Sequence, residues 1–440
     1  MSKRNIILII IILAIVLVTI FGFVYFSQPT NQNGTTEGTN FLSNFLPFGK
    51  SKNITPQDTS PTDISGYIPT EDNSAITNTK FKKISSFPIA GFGVFMKERF
   101  KEENNLEALP PSRGNVSVLP ITPSTEFAPA IRYVNKTNGN IYQTFADKID
   151  ERRFSEIVVP KVYEAYFGNK GESVIMRYLK EDGKTIETYV GALQKEYLGA
   201  DSIGTSEVKG SFLPENISDM SVSSDSSKMF YLFNIGDNSA GISYTLQSST
   251  KVQIFDSAFT EWLSFWPKSD MLTVTTKPSA NVPGYMYVIN PDRKDFNKVL
   301  GGINGLTTLT SPDGKNVLYS DNNLSLNIFN TETKESNYLG MKTLAEKCVW
   351  APTSDAVYCA IPKYINSGSY PDSWYQGEVS FSDEIWKIDI KSGSTILVLD
   401  PNNISNGEEI DGIRLTLDES QNFLFLINKK DSYLWGLNLK

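Results

Sequence analysis

From about Phe81 to the C-terminus, short apolar runs rich in β-branched and aromatic residues alternate with clusters of turn-forming residues. No stretch there keeps the 3.6-residue period of a long amphipathic helix. The clearest unit is 306–319, where two apolar runs flank Ser311-Pro312-Asp313-Gly314-Lys315. Pro312 presets the backbone for a turn, and Asp313-Gly314 offers the positive-φ positions of a tight hairpin. Comparable units span 220–233 around Ser224-Asp225-Ser226, 262–274 around Pro267-Lys268-Ser269, 348–359 around Thr353-Ser354, and 414–427 around Asp418-Glu419-Ser420. Weaker copies occupy 131–145, turning at Thr137-Asn138-Gly139, and 166–178, turning at Asn169-Lys170-Gly171. Several continue into a third strand and an Asp- or Asn-centred turn, as at 326–334 and 385–393.

Four short antiparallel strands per unit, often recurring at about 40–45 residues, predict an all-β propeller of about seven four-stranded blades over 80–440. One blade cannot cover both its faces, so blades stack until a closed ring leaves none exposed. The start of the ring is open. The segment 90–96, with Phe92 and Phe95, is either the first strand of blade one or the strand that closes the ring against the last blade.

Upstream the pattern changes twice. Residues 5–26 contain an uncharged apolar run from Ile6 to Phe26, in which Thr19 is the clearest polar interruption. About 21 helical residues span ~30 Å, the thickness of a bilayer core. The run ends in Phe23, Tyr25 and Phe26 rather than the small residues of a cleavage site, so it predicts an uncleaved single-pass transmembrane helix. Lys3 and Arg4 precede it, and no Lys or Arg follows until Lys50. The positive-inside rule then predicts a cytoplasmic tip (1–4), with the C-terminal domain extracytoplasmic at a cell membrane. Residues 27–79 are rich in Asn, Thr, Ser, Gly and Pro and read as a flexible polar linker. An apolar patch at Phe41, Leu42, Phe45, Leu46 and Phe48 reads mainly as a sticky stretch of that linker.

The Ser-Pro-Asp-Gly-Lys turn between apolar strands resembles the units of TolB-type and WD-repeat-like propellers. The whole plan resembles membrane-anchored propeller proteins of bacteria. The resemblance implies a ring fold over roughly 80–440 and no particular activity. The Gly-His and Trp-Asp dipeptides of true WD repeats are missing, so WD-type partners are not implied.

Composition removes several chemistries. The chain has 440 residues, a formal charge of −8 and no histidine. That excludes imidazole-based triads and the common His-containing zinc sites. The acidic balance disfavours nucleic acid. No run matches a calcium loop, so Asp313, Gly314 and Asp225 read as turn residues, and neither cofactor nor metal is expected.

Two features remain. Cys348 and Cys359, the only cysteines, fall opposite each other if the hairpin turns at Thr353-Ser354. They read either as a disulfide or as two reduced core thiols. The segment 362–381 interrupts the sixth unit and brings Tyr364, Tyr370, Asp372, Trp374 and Tyr375 together; it reads as a partner-binding loop or as a loop folded onto the ring. A second insertion, 97–126, begins with Lys97, Glu98 and Arg99 and reads as a solvated helix or loop face. The sequence thus predicts a non-catalytic module, not an enzyme, that binds an envelope protein, peptide or glycan. The alternative is a carboxylate-dependent glycosidase or lyase. A deep axial pocket lined by Asp, Glu and Arg would favour the enzyme, and an aromatic face around Trp374 the binder.

Overall fold

The computed structural model describes residues 80–101, 124–156, 158–195, 208–404 and 408–440. The expected tip, membrane span and linker (1–79) lie outside the described residues. Among the described residues no helix is long and apolar enough to cross a membrane.

Seven four-stranded antiparallel sheets form the ring. Blade 1 comprises β2 (Ile89–Phe100), β3 (Thr125–Asn135), β4 (Ile141–Phe145) and β5 (Arg152–Arg153). Blade 2 comprises β6 (Val162–Gly168), β7 (Ser173–Leu179), β8 (Ile186–Ala192) and β9 (Lys209–Phe212). Blade 3 follows with β10 (Asp219–Val222), β11 (Lys228–Ile235), β12 (Asn238–Thr245) and β13 (Lys251–Ser257). Blade 4 holds β14 (Trp262–Lys268), β15 (Met271–Thr276), β16 (Pro283–Ile289) and β17 (Phe296–Asn304). Blade 5 holds β18 (Thr307–Thr310), β19 (Asn316–Ser320), β20 (Ser325–Asn330) and β21 (Ser336–Lys342). Blade 6 holds β22 (Cys348–Trp350), β23 (Ala356–Pro362), β24 (Asp383–Asp389) and β25 (Thr395–Leu399). Blade 7 is built from β26 (Gly412–Leu417), β27 (Phe423–Asn428), β28 (Leu434–Asn438) and, from the other end of the domain, β1 (Phe81–Lys83).

Ring closure therefore joins the two ends of the domain. Phe81 pairs with Leu437 and Lys83 with Trp435, and the Phe81 and Trp435 rings stack at 4.8 Å. The segment 90–96 belongs to the first strand of blade 1, and the closing strand lies just before it. The charged start of the second insertion is strand, not a solvated helix or loop face: Lys97 to Phe100 extend β2 against Thr125 to Ala128 of β3.

The hairpin turns are fixed locally. Asp313 Oδ1 accepts from Ser311 Oγ (2.5 Å) and the Lys315 amide (3.0 Å), while Gly314 sits at φ +77°. Asp225 repeats this with Ser223 Oγ (2.6 Å) and the Ser227 amide (3.0 Å). These carboxylates hold turns, as their positions in the sequence imply. Between blades the core is aliphatic and aromatic, with Met229, Tyr231 and Tyr244 of blade 3 packing on Ile175 and Val190 of blade 2.

Candidate functional site: the ring axis

The innermost strand of every blade (β2, β6, β10, β14, β18, β22 and β26) contributes to one axial cavity of about 480 Å³. Its wall carries Asp219, Glu346, Arg414, Tyr166 and Tyr375 among Ser and Thr hydroxyls such as Ser221, Ser264 and Thr308.

One side is organised by Arg414, whose guanidinium spans from blade 7 to blade 2. Its Nη2 reaches Glu164 Oε1 at 2.5 Å and its Nη1 donates to the Ala165 carbonyl at 3.0 Å. It lies over the Tyr166 ring at 4.6 Å. Gly91 of blade 1 leaves room for this crossing: a Cβ there would meet Ala165 O at 2.0 Å and Arg414 Nη1 at 2.8 Å. Glu164 also pairs with Arg177 and accepts from the Tyr166 hydroxyl at 2.7 Å. Burial would raise Glu164, but Arg414 and Arg177 hold its carboxyl below the usual range. Glu164 thus stays ionised and positions a cation at the cavity wall.

Asp219, at the start of β10, has the opposite character. Its Oδ2 accepts from the Ser264 amide and hydroxyl, both at 2.6 Å. Burial pushes it up to about 7, against those hydrogen bonds and with Glu164 adding to the rise. Such a carboxyl exchanges a proton near neutral pH. Glu346, on the connection from β21 to β22, is also raised, first by burial and in spite of a Tyr375 hydrogen bond and the charges of Lys347 and Lys429. Its Oε1 is buried without a hydrogen-bond partner among the described residues.

The loop 363–382 joins β23 to β24. Strand alternation puts it on the same face as the connections leading into each inner strand. Its short helix Asp372–Tyr375 follows a cis Tyr370-Pro371 bond. Asp372 Oδ2 accepts from the Ala280 amide (2.8 Å) and Ser279 Oγ (3.2 Å) of blade 4, and Lys429 of blade 7 donates to the Trp374 carbonyl. The loop therefore reaches across the face and sets Tyr375 into the cavity wall.

The expected aromatic binding face is not assembled. Trp374 and Tyr370 are each only 4% exposed and pack with Phe381, Leu324 and Leu344. An exposed surface of the four aromatic residues Tyr364, Tyr370, Trp374 and Tyr375 would have to leave their apolar faces in water, and the loop buries Tyr370 and Trp374 instead. Asp372 is occupied by blade 4. Tyr364 is exposed at 61%, apart from that cluster, and Tyr375 is the loop aromatic that meets the axis. Cys348 and Cys359 pair directly across β22 and β23 and form a disulfide.

Sequence reasoning missed Glu164, Arg177, Asp219, Glu346 and Arg414. Glu164, Asp219, Glu346 and Arg414 share one signal, a charge in or beside the first strand of a unit; Arg177 lies in the second strand of blade 2. Among the described residues no cluster of His, Cys, Asp and Glu is arranged to hold a metal.

No family model matches the chain, and no curated protein matches it. Among solved structures it is similar to an oligogalacturonate lyase in complex with manganese (TM-score 0.44, 11% identity, 71% of this chain and 85% of that one). It is similar also to an oligogalacturonate lyase from Vibrio parahaemolyticus (TM-score 0.46, 8% identity, 70% and 85%). A third is the hydrazine synthase of Kuenenia stuttgartiensis (TM-score 0.44, 12% identity, 63% and 76%). The expectation of a chain that is not an enzyme is corrected. The axis carries the Asp, Glu and Arg lining that distinguished the enzyme reading from the binding one.

Proposed function

We propose that the chain is a membrane-anchored, extracytoplasmic enzyme that cleaves an acidic, uronate-containing glycan by β-elimination in the ring axis. The observation that carries this reading is Asp219, a carboxyl pushed up to about 7 in a cavity whose wall also presents the Arg414 guanidinium. Arg414 pairs with the substrate carboxylate and makes the neighbouring C–H more acidic. Asp219, once ionised, takes that proton. The C–H electrons form the C=C bond as the glycosidic C–O bond breaks, and the departing oxygen takes the Glu346 proton. The Ser and Thr hydroxyls suit a polyhydroxylated ligand, and the volume suits a small molecule or the end of a glycan chain. A glycosidase would use the same pair of groups, one carboxylic acid and one ionised carboxylate; the Arg414 guanidinium at the cavity wall, placed for a substrate carboxylate, favours elimination over hydrolysis.

The apolar run 5–26 and the Cys348–Cys359 disulfide support placement at the membrane facing an oxidising compartment. The Ser-Pro-Asp-Gly-Lys turn keeps its likeness to TolB-type units at the level of the hairpin. The test incubates the full chain in detergent with polygalacturonate, alginate and a neutral glucan. Absorbance of unsaturated uronate ends should rise with an acidic polymer and vanish in Asp219→Asn. New reducing ends without unsaturation, or no turnover on any of the three, would overturn the reading.

A further inference from the structure

Beneath the loop, outside the axial cavity, lies a buried charge cluster that the proposed reaction does not use. Lys347, Asp383 and Asp411 have side chains that are 0% exposed. Lys347 Nζ lies 2.8 Å from Asp383 Oδ2 and touches Asp411 Oδ1. The amine sits over the rings of Trp374 (5.1 Å) and Phe381 (4.9 Å). One amine thus meets two carboxyl groups in a site walled by aromatic rings.

The two carboxyls differ. Asp411 accepts from Trp374 Nε1 (3.0 Å), Ser380 Oγ (3.1 Å) and the Phe381 amide (3.0 Å). Burial would raise it, but the Lys347 charge and these donors hold it below the usual range as a carboxylate. Burial pushes Asp383 up to about 6 in spite of the Lys347 charge, and Asp411 adds to the rise. Asp383 Oδ2 accepts the Gly412 amide at 2.7 Å, while its Oδ1 is buried without a hydrogen-bond partner among the described residues. A neutral carboxylic acid polarised by an N–H is an electrophile, and an adjacent carboxylate is a base.

The geometry points to a covalent amide between Lys347 and Asp383, formed by the folded chain itself, with Asp411 carrying the proton. Transfer of one proton from Lys347 to Asp383 gives an amine and an acid without changing the net charge. The Nζ lone pair attacks Cγ of Asp383, Asp411 takes a proton from the nitrogen, and that proton goes to the departing oxygen. The C–O bond breaks, the N–C bond stays, and one water leaves. No oxidant or reductant is needed. The bond would clasp the loop at its base, since Asp383 opens β24 where the loop ends and Lys347 lies just before β22.

The test is the intact mass of the purified full chain, followed by digestion under reducing conditions. The expected mass is one water below that of the disulfide-bonded sequence, with a branched peptide joining Lys347 to Asp383. Asp411→Asn should restore the water. A folded wild-type chain at the unmodified mass overturns the proposal, as does a branch mapped to Asp411. Both readouts come from the wild-type protein, so the proposal stays testable if the variant fails to fold. They are also independent of any activity on glycans.

Discussion

Asp372 of blade 6 accepts the backbone amide of Ala280 in blade 4 at 2.8 Å, across 92 residues of sequence. This contact and the Lys429 donation to Trp374 O tie the β23–β24 loop down at two places on the ring face. Replacing Asp372 with Ala leaves the Ala280 N–H unpaired and removes a charge-assisted bond, a loss of about 1–3 kcal/mol. The expected outcome is faster protease cleavage within 363–382, with the blades otherwise intact. Unchanged cleavage kinetics would mean that the loop is held by its aromatic packing alone.

Gly91 tests the crossing of Arg414 from blade 7 to blade 2. A methyl group there meets backbone oxygen as well as the guanidinium, and the Ala165 carbonyl cannot swing aside as a flexible side chain does. Gly91→Ala should lower the melting temperature and reduce uronate elimination more than Gly93→Ala, whose added Cβ would meet the Phe167 side chain at 2.7 Å. Equal effects at the two positions would separate Arg414 from the reaction.

The pH dependence follows from Asp219. Its folded value of about 7 lies above the usual carboxylate range, so between about 4 and 7 the folded state binds more protons than the unfolded state. The contribution is fully present below about 4, falls as pH rises through that window, and is absent above it. Integrated over the window it is on the order of a few kcal/mol. Asp219→Asn should flatten that part of the melting-temperature profile. A slope that survives the substitution would assign the titration to another buried carboxyl, with Glu346 the next to examine.

The disulfide closes a short hairpin, with a sequence separation of 11. The loop-entropy relation gives about 3 kcal/mol for such a ring. A Cys348→Ala, Cys359→Ala double variant should melt lower by a matching amount, measured by calorimetry. Reduction of the native chain should reproduce the shift, and no change in either experiment would mean the pair contributes packing only.

The legible part of this fold was the part encoded locally. The Ser311-Pro312-Asp313-Gly314 turn closes its own hydrogen bonds within five residues, so its strands and the repeat could be read directly. The opposition of Cys348 and Cys359 followed in the same way from the register of their own hairpin, β22 to β23. What could not be read depends on ring geometry. Glu164 and Arg414 are 250 residues apart and meet because blades 2 and 7 flank blade 1. Asp219 looks like any strand-entry residue until burial lifts its carboxyl. The loop aromatics were visible as a group, but their direction was not. Trp374 turns inward because the buried Asp411 carboxylate accepts its indole N–H.

Closure of the ring yields the last prediction. β1 has three residues, and Phe81, Lys82 and Lys83 register against Leu437, Gly436 and Trp435 of β28. Without it, β28 becomes an exposed edge, and the buried faces of Trp435 and Leu437 lose the stacked Phe81 ring. Burial of a Phe side chain is worth about 1.5–3 kcal/mol, and the cavity left by its removal adds to that. Phe81→Ala should therefore destabilise the domain by about 3–5 kcal/mol, the cost of a large-to-small core change. Hydrogen exchange should rise first in β27 and β28 rather than in blades 3 to 5, because the ring opens at its seam. Protection lost evenly around the ring would mean that β1 is not the closing strand.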